Sequence, residues 1–307
     1  MLKHQSVLSK EVLDSLNIVA DGYYIDGTFG RGGHSALILA KLGPEGRLLA
    51  IDQDPSAIEA GNTPPFLGDS RFKLCWGSFA TIGEITAKQG WLGKVHGILL
   101  DLGVSSPQLD DPKRGFSFRL QGPLDMRMNS EQGVSAADWL NKAKESDITQ
   151  VLKDFGEERF ARQIAKAIVA TRTIKPLATT GQLASLIAAT IPWYEPGKHP
   201  ATRSFQAIRI YINQELESLQ AALNQCPAIL KKGGRLAVMS FHSLEDRMVK
   251  QFIHNQSKGN VLEKLPLKES QIKRQMQMIG RLIRPTGEEI TMNPRARSAR
   301  LRVAEKI

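Results

Sequence analysis

The sequence predicts a doubly wound α/β fold with a mostly parallel sheet, into which an all-α domain is inserted. In the N-terminal third, short apolar runs alternate with helical stretches, which implies right-handed crossovers and parallel strands. Residues 48–51 and 98–100 are continuous apolar runs, as expected of strands that are buried on both faces. The alternation then stops, resumes near residue 233, and ends in two short strand-like runs.

The elements of the first part follow from apolar runs and from helix start and stop signals. The predicted order is strand 23–25, helix 34–42, strand 47–51, a helix from Asp54, strand 72–76, a helix from about residue 81, and strand 95–100. Gly43 and Pro44 close the first of these helices. Pro55 suits the first turn of the second helix, where its missing N–H has no partner to lose.

The middle of the chain is predicted to be helical. A loop rich in Gly, Pro, Asp and Arg covers residues 110–127, and residues 135–192 have helical patterns without a strand signal. A further helix from Phe205 has apolar residues at helical spacing as far as Leu219. We therefore expect residues 1–108 and 216–307 to form the sheet domain, with residues 109–215 as the inserted helical domain.

The C-terminal part returns to strands. Residues 233–241 predict a strand and a helix follows from Ser243, before strand-like runs near residues 281–283 and 299–303. Two short strands so close together can be joined only as antiparallel neighbours. A sheet that ends in such a hairpin is, by analogy of fold, more typical of methyltransferases than of dehydrogenases.

The charge of the chain limits the classes of partner. Its 307 residues include 41 Lys and Arg against 31 Asp and Glu, a net charge of +10. This excess favours a polyanionic partner, since binding releases counterions, although solubility alone is an alternative explanation. Cys75 and Cys226 lack metal-ligand spacing and indicate a reducing compartment. Because no apolar run reaches roughly 18 residues and the N-terminus is unlike a signal peptide, we expect a soluble, cytoplasmic protein without a membrane partner.

A nucleoside site is predicted after the first strand. There a glycine-rich turn leads into a helix, an arrangement that brings backbone N–H groups to a polar ligand. Asp52 ends the next strand 20 residues after Gly32, where a carboxylate can accept hydrogen bonds from both hydroxyls of a ribose. A glycine-rich turn alone often serves only to bend the chain. The spacing to the carboxylate makes nucleoside binding the favoured interpretation.

The same turn favours one nucleoside over another. From Asp26 to His34 it lacks the dinucleotide spacing Gly-x-Gly-x-x-Gly, and no Lys-Ser or Lys-Thr pair follows. Asp26 would repel a pyrophosphate but is compatible with S-adenosylmethionine (SAM), which has no phosphate, so SAM is favoured over NAD. Phe79 is placed either against the adenine or in the core. Asp101 ends the fourth strand, at the sheet edge where open α/β folds bind ligands.

Several segments of the chain, in order, resemble the bacterial RsmH/MraW family. They are DGTFGRGGHS at 26–35, DLGVSSPQLD at 101–110, GFSF at 115–118, GPLDMR at 122–127, HPATR at 199–203, SFHSLEDR at 240–247 and NPRARS at 293–298. The resemblance implies a class I SAM-dependent methyltransferase that modifies the N4 amino group of a cytosine in the decoding region of 16S ribosomal RNA. It also implies that the partner is the small ribosomal subunit and that the inserted helical domain recognises RNA. The residues it places against SAM are Gly32, Gly33, His34, Asp52, Phe79, Asp101 and Gln108.

The chemistry requires a site that activates a weak nucleophile, because the lone pair of a cytosine amino group is conjugated with the ring. Residues 105–108, Ser-Ser-Pro-Gln, resemble the Ser-Pro-Pro-aromatic loop of amino-methyltransferases, without its second proline and its aromatic residue. We hypothesise that the Ser106 hydroxyl and the Pro107 carbonyl accept the N4 hydrogens and hold the nitrogen in line for transfer. The alternative is a turn that merely ends the strand.

Another side chain then has to stack the target base once it leaves its helix. Phe116, Phe118 and Phe241 are candidates, each with core packing as the alternative. His242 is either a proton relay or a structural residue that follows a strand.

Two clusters of basic residues predict a phosphate-binding rim, with ordinary solvated surface positions as the alternative. One cluster ends the helical insert and the other lies near the C-terminus. Their members are Lys198, His199, Arg203 and Arg209, and Arg295, Arg297, Arg300 and Arg302.

Three other functions are left open by the residues alone. A DNA amino-methyltransferase would use the same chemistry, but usually has the complete Pro-Pro-aromatic loop. A scaffold protein would bind SAM or RNA without turnover. An NAD-dependent oxidoreductase is disfavoured by the spacing of the turn. No residue pattern calls for a metal, and the sequence does not distinguish a monomer from a homodimer.

Overall fold

The computed structural model describes residues 6–194, 197, 199–259 and 274–307. It has two compact units: Met1–Gly103 with Leu216–Ile307, called the sheet unit, and Val104–Glu215, called the helical unit. The strands of the described residues are β1 (Tyr23–Asp26), β2 (Arg47–Asp52), β3 (Phe72–Trp76), β4 (Val95–Asp101), β5 (Leu230–Ser240), β6 (Met276–Ile283) and β7 (Arg300–Lys306). The α-helices are α1 (Ser9–Leu16), α2 (Gly33–Leu39), α3 (Pro55–Gly61), α4 (Ile82–Lys88), α5 (Ser106–Asp110), α6 (Ala136–Lys142), α7 (Glu145–Gly156), α8 (Ala161–Ile174), α9 (Thr180–Thr190), α10 (Thr202–Asn213), α11 (Glu215–Ile229), α12 (Ser243–Lys258) and α13 (Gly287–Met292).

The sheet has the strand order β3-β2-β1-β4-β5-β7-β6. Strands β1 to β5 are parallel to one another. Strand β7 runs antiparallel to β5 and to β6. The predicted doubly wound sheet with a C-terminal antiparallel hairpin is therefore confirmed.

Both faces of the sheet are buried, which explains the continuous apolar runs. Along β2, Leu49 and Ile51 belong to one core cluster, while Leu48 and Ala50 belong to the other. Side chains of α4, α11 and α12 contribute to the first cluster, and those of α1, α2 and α3 to the second. Since successive residues of a strand point to opposite faces, every position of a strand covered on both sides has to be apolar.

The helical unit has its own core. Helices α6 to α10 contribute buried side chains that include Leu140, Ile148, Ile164, Ile187 and Phe205. A capping box begins α9, since Thr179 Oγ1 accepts a hydrogen bond from Gln182 N at 3.3 Å while Gln182 Oε1 accepts one from Thr179 N at 3.0 Å. Among the residues that the structure describes, no helix is long and apolar enough to cross a membrane.

The first boundary between the units differs from the predicted one. The structure divides the chain after Gly103 and after Glu215, whereas the sequence placed the first division after residue 108. The physical reason is that Val104 and Leu109 pack against the core of the helical unit. Residues 104–108 therefore belong to the helical unit.

Three local predictions also need correction. The helix expected to continue from Phe205 to Leu219 is interrupted at Gln214, which has a left-handed φ of 48°; the apolar spacing continues across the break and hides it. The turn expected at residues 105–108 is the start of α5. The segment between the two C-terminal strand-like runs, for which no helix was predicted, contains α13, because the Thr286 side chain accepts a hydrogen bond from Glu289 N at 3.2 Å and caps this helix.

Candidate functional site

The strand order places the candidate ligand site at the carboxyl ends of β1 and β4. From β1 the chain continues to β2 on one side of β1, while β4 is the neighbour of β1 on the other side. Open α/β sheets bind ligands in the crevice at such a switch point. Asp26, Asp52 and Asp101 are the last residues of β1, β2 and β4, so these carboxyl groups lie at the same edge of the sheet.

The glycine-rich turn after β1 is tied to the strands on both sides. Gly27 N donates to Leu99 O at 2.9 Å, and Phe29 N donates to Ile51 O at 3.0 Å. Gly32 has a φ of 75°, in the left-handed region that glycine adopts without strain. A Cβ at Gly32 would also collide with the ring of Phe66. The local fold therefore requires glycine here, and α2 begins at the next residue, Gly33.

Asp26 supports the turn from inside. Its carboxyl group is 1% exposed. One oxygen, Oδ1, accepts from Thr28 N at 3.1 Å, and Oδ2 accepts from Ser35 Oγ at 2.7 Å. Burial raises the pKa of Asp26 to about 6, and the charge of Asp52 adds to the effect. Asp26 thus holds the start of α2 against the end of β1.

Asp52 has the position that a ribose contact requires, while also holding the backbone around it. Its Oδ2 accepts from Gly30 N at 2.7 Å and its Oδ1 accepts from Asp54 N at 2.9 Å. The Gln53 backbone N–H is a third donor to this carboxylate. A carboxylate has about four lone-pair sites in all, so the group can still accept a hydroxyl hydrogen. Burial raises the pKa of Asp52.

Buried His34 and half-buried Asp101 lie side by side in the crevice. His34 Nε2 lies 3.6 Å from Asp101 Oδ2, beyond a normal hydrogen bond. Among the described residues, neither ring nitrogen of His34 nor Oδ1 of Asp101 has a hydrogen-bond partner. Burial lowers the pKa of His34 to about 4. Burial also raises the pKa of Asp101 well above its ordinary value, and the charges of Asp26 and Glu245 raise it further.

Such atoms are informative because buried polar groups in folded proteins nearly always have a partner. An imidazole and a carboxyl group that lack partners offer both donors and acceptors to a polar ligand. The donor set suits a ligand with amino, carboxylate or hydroxyl groups, such as the amino-acid end and the ribose of SAM.

Phe79 lies beside the turn and also contacts the core. It begins a 3₁₀ turn (Phe79–Thr81) directly after β3, where Ser78 Oγ accepts from Ala80 N at 3.2 Å. A Cβ at Gly27 would lie 3.4 Å from Phe79 Cβ, and the half-buried ring packs on the sheet core. Both proposed places for Phe79, against an adenine and in the core, are compatible with this position.

The sequence did not reveal two residues that shape this edge. Thr28 Oγ1 accepts from Asp101 N at 2.7 Å and so joins the ends of β1 and β4. Buried Glu245 accepts from His242 N at 3.3 Å and from Phe241 N at 2.8 Å, while His242 Nδ1 accepts from Glu245 N at 3.4 Å. This reciprocal pair is a capping box with histidine at the N-cap, a residue outside the usual set, which is why the pattern was missed. The geometry favours the structural alternative for His242.

Residues 105–108 lie in the helical unit. Ser106 and Pro107 are the first two residues of α5. The Pro107 carbonyl accepts from Asp111 N at 2.9 Å, so an intrahelical hydrogen bond already uses one of its lone pairs. Gln108 is buried, and its Oε1 accepts from Ser105 N at 2.8 Å.

Three arginines of the predicted phosphate-binding rim form ion pairs within the protein. Arg209 makes a two-point pair with Glu215, at 2.7 and 2.8 Å, and the two side chains are 16% and 9% exposed. Arg300 and Arg302 donate to Asp246 at 2.9 and 2.6 Å. Each partner is far from its arginine in sequence or lies beyond the helix break, so the clustering of charges along the sequence did not indicate these pairs.

The remaining members of the rim are at the surface. Arg295, Arg297, His199 and Arg203 are exposed or half-buried, and Lys198 lies outside the described residues. Arg203 Nη1 donates to Glu157 O at 3.3 Å. Of the stacking candidates, Phe116 is buried in the helical core and Phe241 packs on the sheet core. Phe118 is half-buried and stacks on His199.

Parallel strands β1 to β5, the antiparallel β7 and the carboxyl groups at the switch point define a class I SAM-dependent methyltransferase fold, as predicted. The profile described as the MraW methylase family matches residues 1–307. The chain belongs to this family, and the resemblance stated from the sequence is confirmed.

The chain is also similar to individual proteins of known name or structure. A protein of Coxiella burnetii (strain RSA 331 / Henzerling II), named "Ribosomal RNA small subunit methyltransferase H", is 53% identical over 307 residues and covers 100% of both chains. A solved rRNA methylase of Streptococcus thermophilus is 14% identical, with a TM-score of 0.42 over 100% of this chain and 99% of that one. A solved SAM-dependent O-methyltransferase of Thermotoga maritima is 12% identical, with a TM-score of 0.42 over 100% and 68%.

Proposed function

We propose that this protein transfers a methyl group from SAM to the N4 amino group of a specific cytosine in the decoding region of 16S ribosomal RNA. The observation that carries the proposal is the full-length match to the relative named for the small-subunit ribosomal RNA, at 53% identity. The partner would be that RNA or the small ribosomal subunit that contains it. The net charge of +10 supports a polyanionic substrate.

The residues of the crevice fit SAM. The nitrogens of His34 and Oδ1 of Asp101, which have no partner among the described residues, would hold its amino-acid end, and Asp52 would accept from its ribose hydroxyls. Phe79 would contact the adenine, with Gly32 and Gly33 allowing close approach of the backbone and Gln108 as a further contact from the helical unit. When bound, SAM supplies an electrophilic methyl group on a sulfonium sulfur.

The chain itself has to orient the amino nitrogen and accept its hydrogen bonds. The Ser106 hydroxyl can accept one N4 hydrogen and thereby direct the nitrogen lone pair out of conjugation with the ring. The Pro107 carbonyl is the second proposed acceptor, through the lone pair that Asp111 N does not use. The surplus N4 proton leaves to solvent after transfer, so no strong base is required before it.

RNA recognition is assigned to residues 104–215 together with the C-terminal arginines. His199 and Arg203 belong to the first group, and Arg295 and Arg297 to the second. We do not assign Arg209 to RNA recognition, because its guanidinium pairs with the Glu215 carboxylate.

The direct test is transfer of labelled methyl from SAM to small-subunit particles, and to their naked RNA, that lack the modification. N4-methylcytidine at a single site is the expected product, and the better of the two substrates shows which assembly stage is modified. Label on another nucleoside would contradict the cytosine assignment. SAM binding without transfer would favour a scaffold, and transfer to DNA instead would favour a DNA amino-methyltransferase.

A further inference from the structure

An aromatic stack lies at the surface of the helical unit. The rings of Phe118 and His199 have centroids 4.5 Å apart and planes only 16° from parallel. Beneath them, the buried ring of Phe205 meets Phe118 edge-on, with centroids 5.5 Å apart at 82°. The exposed fraction increases outward, from buried Phe205 through half-buried Phe118 to exposed His199. The outermost layer is therefore an aromatic ring that faces solvent.

The orientation of His199 is fixed by its neighbours. His199 Nδ1 accepts from Ala201 N at 3.2 Å. Its carbonyl oxygen accepts from Thr202 N at 3.0 Å and from Thr202 Oγ1 at 2.7 Å. With Nδ1 as an acceptor, the neutral ring carries its proton on Nε2. The ring is thus held in place before any ligand arrives, which reduces the entropy lost on binding.

The charge state of His199 suits stacking. Burial lowers its pKa, and the positive charge of Arg119 lowers it further. At neutral pH the ring is therefore uncharged and can be covered without the cost of desolvating an ion. Arg119 itself is exposed beside Phe118, where it can meet a phosphate.

This combination is typical of proteins that bind unpaired nucleotides. Their aromatic side chains stack on bases, and neighbouring cations follow the backbone. Because every base has a π-face, such a site needs no sequence-specific hydrogen bonds.

We propose that the outer face of His199, supported by Phe118, is a stacking site for an unpaired base of the RNA substrate, with Arg119 contacting the adjoining phosphate. The site rests on the proposed function, which makes RNA the substrate, and adds how the helical unit would hold it. His199 is a positioning residue in this scheme and takes no part in the transfer of the methyl group.

The helical unit offers a matched control. Trp139 and Tyr211 form a second aromatic pair, with centroids also 4.5 Å apart but planes 39° from parallel. Tyr211 is 39% exposed and lies near a further ring, Phe155, at 6.5 Å. If disturbing any aromatic pair of this unit weakened RNA binding, substitutions at Tyr211 and at His199 would both lower the affinity. If base stacking is what matters, only substitution of His199 would lower it.

The experiment compares His199→Ala, His199→Tyr and Tyr211→Leu in the full chain. The dissociation constant for unmodified small-subunit RNA is measured by filter binding, and that for SAM by calorimetry. We expect His199→Ala to weaken RNA binding roughly fivefold or more and to leave SAM binding unchanged. Tyrosine also stacks, so His199→Tyr should stay within about twofold of the wild type. Tyr211→Leu should bind RNA as the wild type does.

Salt dependence gives a second readout, which includes a variant that leaves the aromatic stack intact. Arg119→Gln, at an exposed position, should lower the slope of log Kd against log salt by about one, while His199→Ala should leave the slope unchanged. Unchanged RNA affinity in His199→Ala, or an equal loss in His199→Tyr, would overturn the stacking site. If wild-type protein binds the RNA but transfers no methyl group, the proposed function fails while the binding comparison still decides the stacking site.

Discussion

In the crevice of the sheet unit, His34 is buried and Asp101 is half-buried, and three of their polar atoms have no hydrogen-bond partner among the described residues. In the helical unit, the buried charges of Arg209 and Glu215 satisfy each other, and the groups assigned to RNA lie at the surface. Buried Ser204 Oγ, which also lacks a partner among the described residues, is a local exception there. The contrast indicates that the crevice is preorganised for a small polar ligand, whereas the helical unit offers a surface to a large, charged one.

The largest expected loss of stability comes from a substitution in the glycine-rich turn of the crevice. Gly32→Ala introduces a Cβ that collides with Phe66 in a left-handed backbone, and should cost about 3 kcal/mol of the free energy of unfolding. Gly68→Ala is the control, because Gly68 has a φ of 81° but open space around it; it should cost about 1 kcal/mol. Urea unfolding measures both. Equal losses would show that the packing around the turn does not matter.

The pH dependence of the free energy of unfolding tests whether His34 is buried as a neutral ring. Burial lowers its pKa to about 4 in the folded state, against about 6.5 in the unfolded chain. As the pH falls below about 6.5, the unfolded state binds the proton first, so His34 destabilises the fold progressively down to about pH 4, by up to about 3 kcal/mol. Above about pH 6.5 it has no effect.

His34→Gln removes this titration. The difference between the unfolding free energies of wild type and variant should therefore change between about pH 6.5 and pH 4, and stay constant above that range. Neighbouring carboxyl groups are present in both proteins and largely cancel in the difference. Parallel stability curves down to pH 4 would show that His34 is not buried as a neutral ring.

In the helical unit, the ion pair between Arg209 and Glu215 can be tested by removing the arginine. Arg209→Gln leaves Glu215 buried without its partner and should cost about 2–3 kcal/mol of stability, less than for a fully buried pair because both groups are partly exposed. Arg297→Gln, at an exposed position, should stay within about 0.5 kcal/mol. Chemical unfolding distinguishes the two. A stable Arg209→Gln protein with weakened RNA binding would restore Arg209 to the phosphate-binding rim.

The smallest expected effect concerns the surface charges. Arg297→Gln should lower the salt slope of RNA binding by about one, without changing SAM binding. Arg302→Gln is the control, because Asp246 holds Arg302 at 2.6 Å, and its slope should equal that of the wild type. Identical slopes for Arg297→Gln and wild type would remove Arg297 from the rim.

The sequence predicted those parts of the fold that depend on short-range patterns. Apolar runs located the strands, and the spacing between Gly32 and Asp52 located the crevice, because the ends of parallel strands meet at one edge. Contacts that join distant segments left no such pattern. The Arg302–Asp246 pair and the Thr28 bond to Asp101 N depend on which strands become neighbours. The break at Gln214 was hidden because the apolar spacing continues through it.

Calorimetry of SAM with Asp101→Asn tests whether SAM binds to the crevice atoms that have no partner among the described residues. Because burial disfavours the charge of Asp101, the variant should melt no lower than the wild type. Loss of a charge-assisted hydrogen bond should nevertheless weaken SAM binding roughly tenfold or more. Asp69→Asn, at an acid that pairs with Arg71 in the same unit, should bind SAM normally. Wild-type affinity in a stably folded Asp101→Asn protein would contradict the assignment of this crevice to SAM.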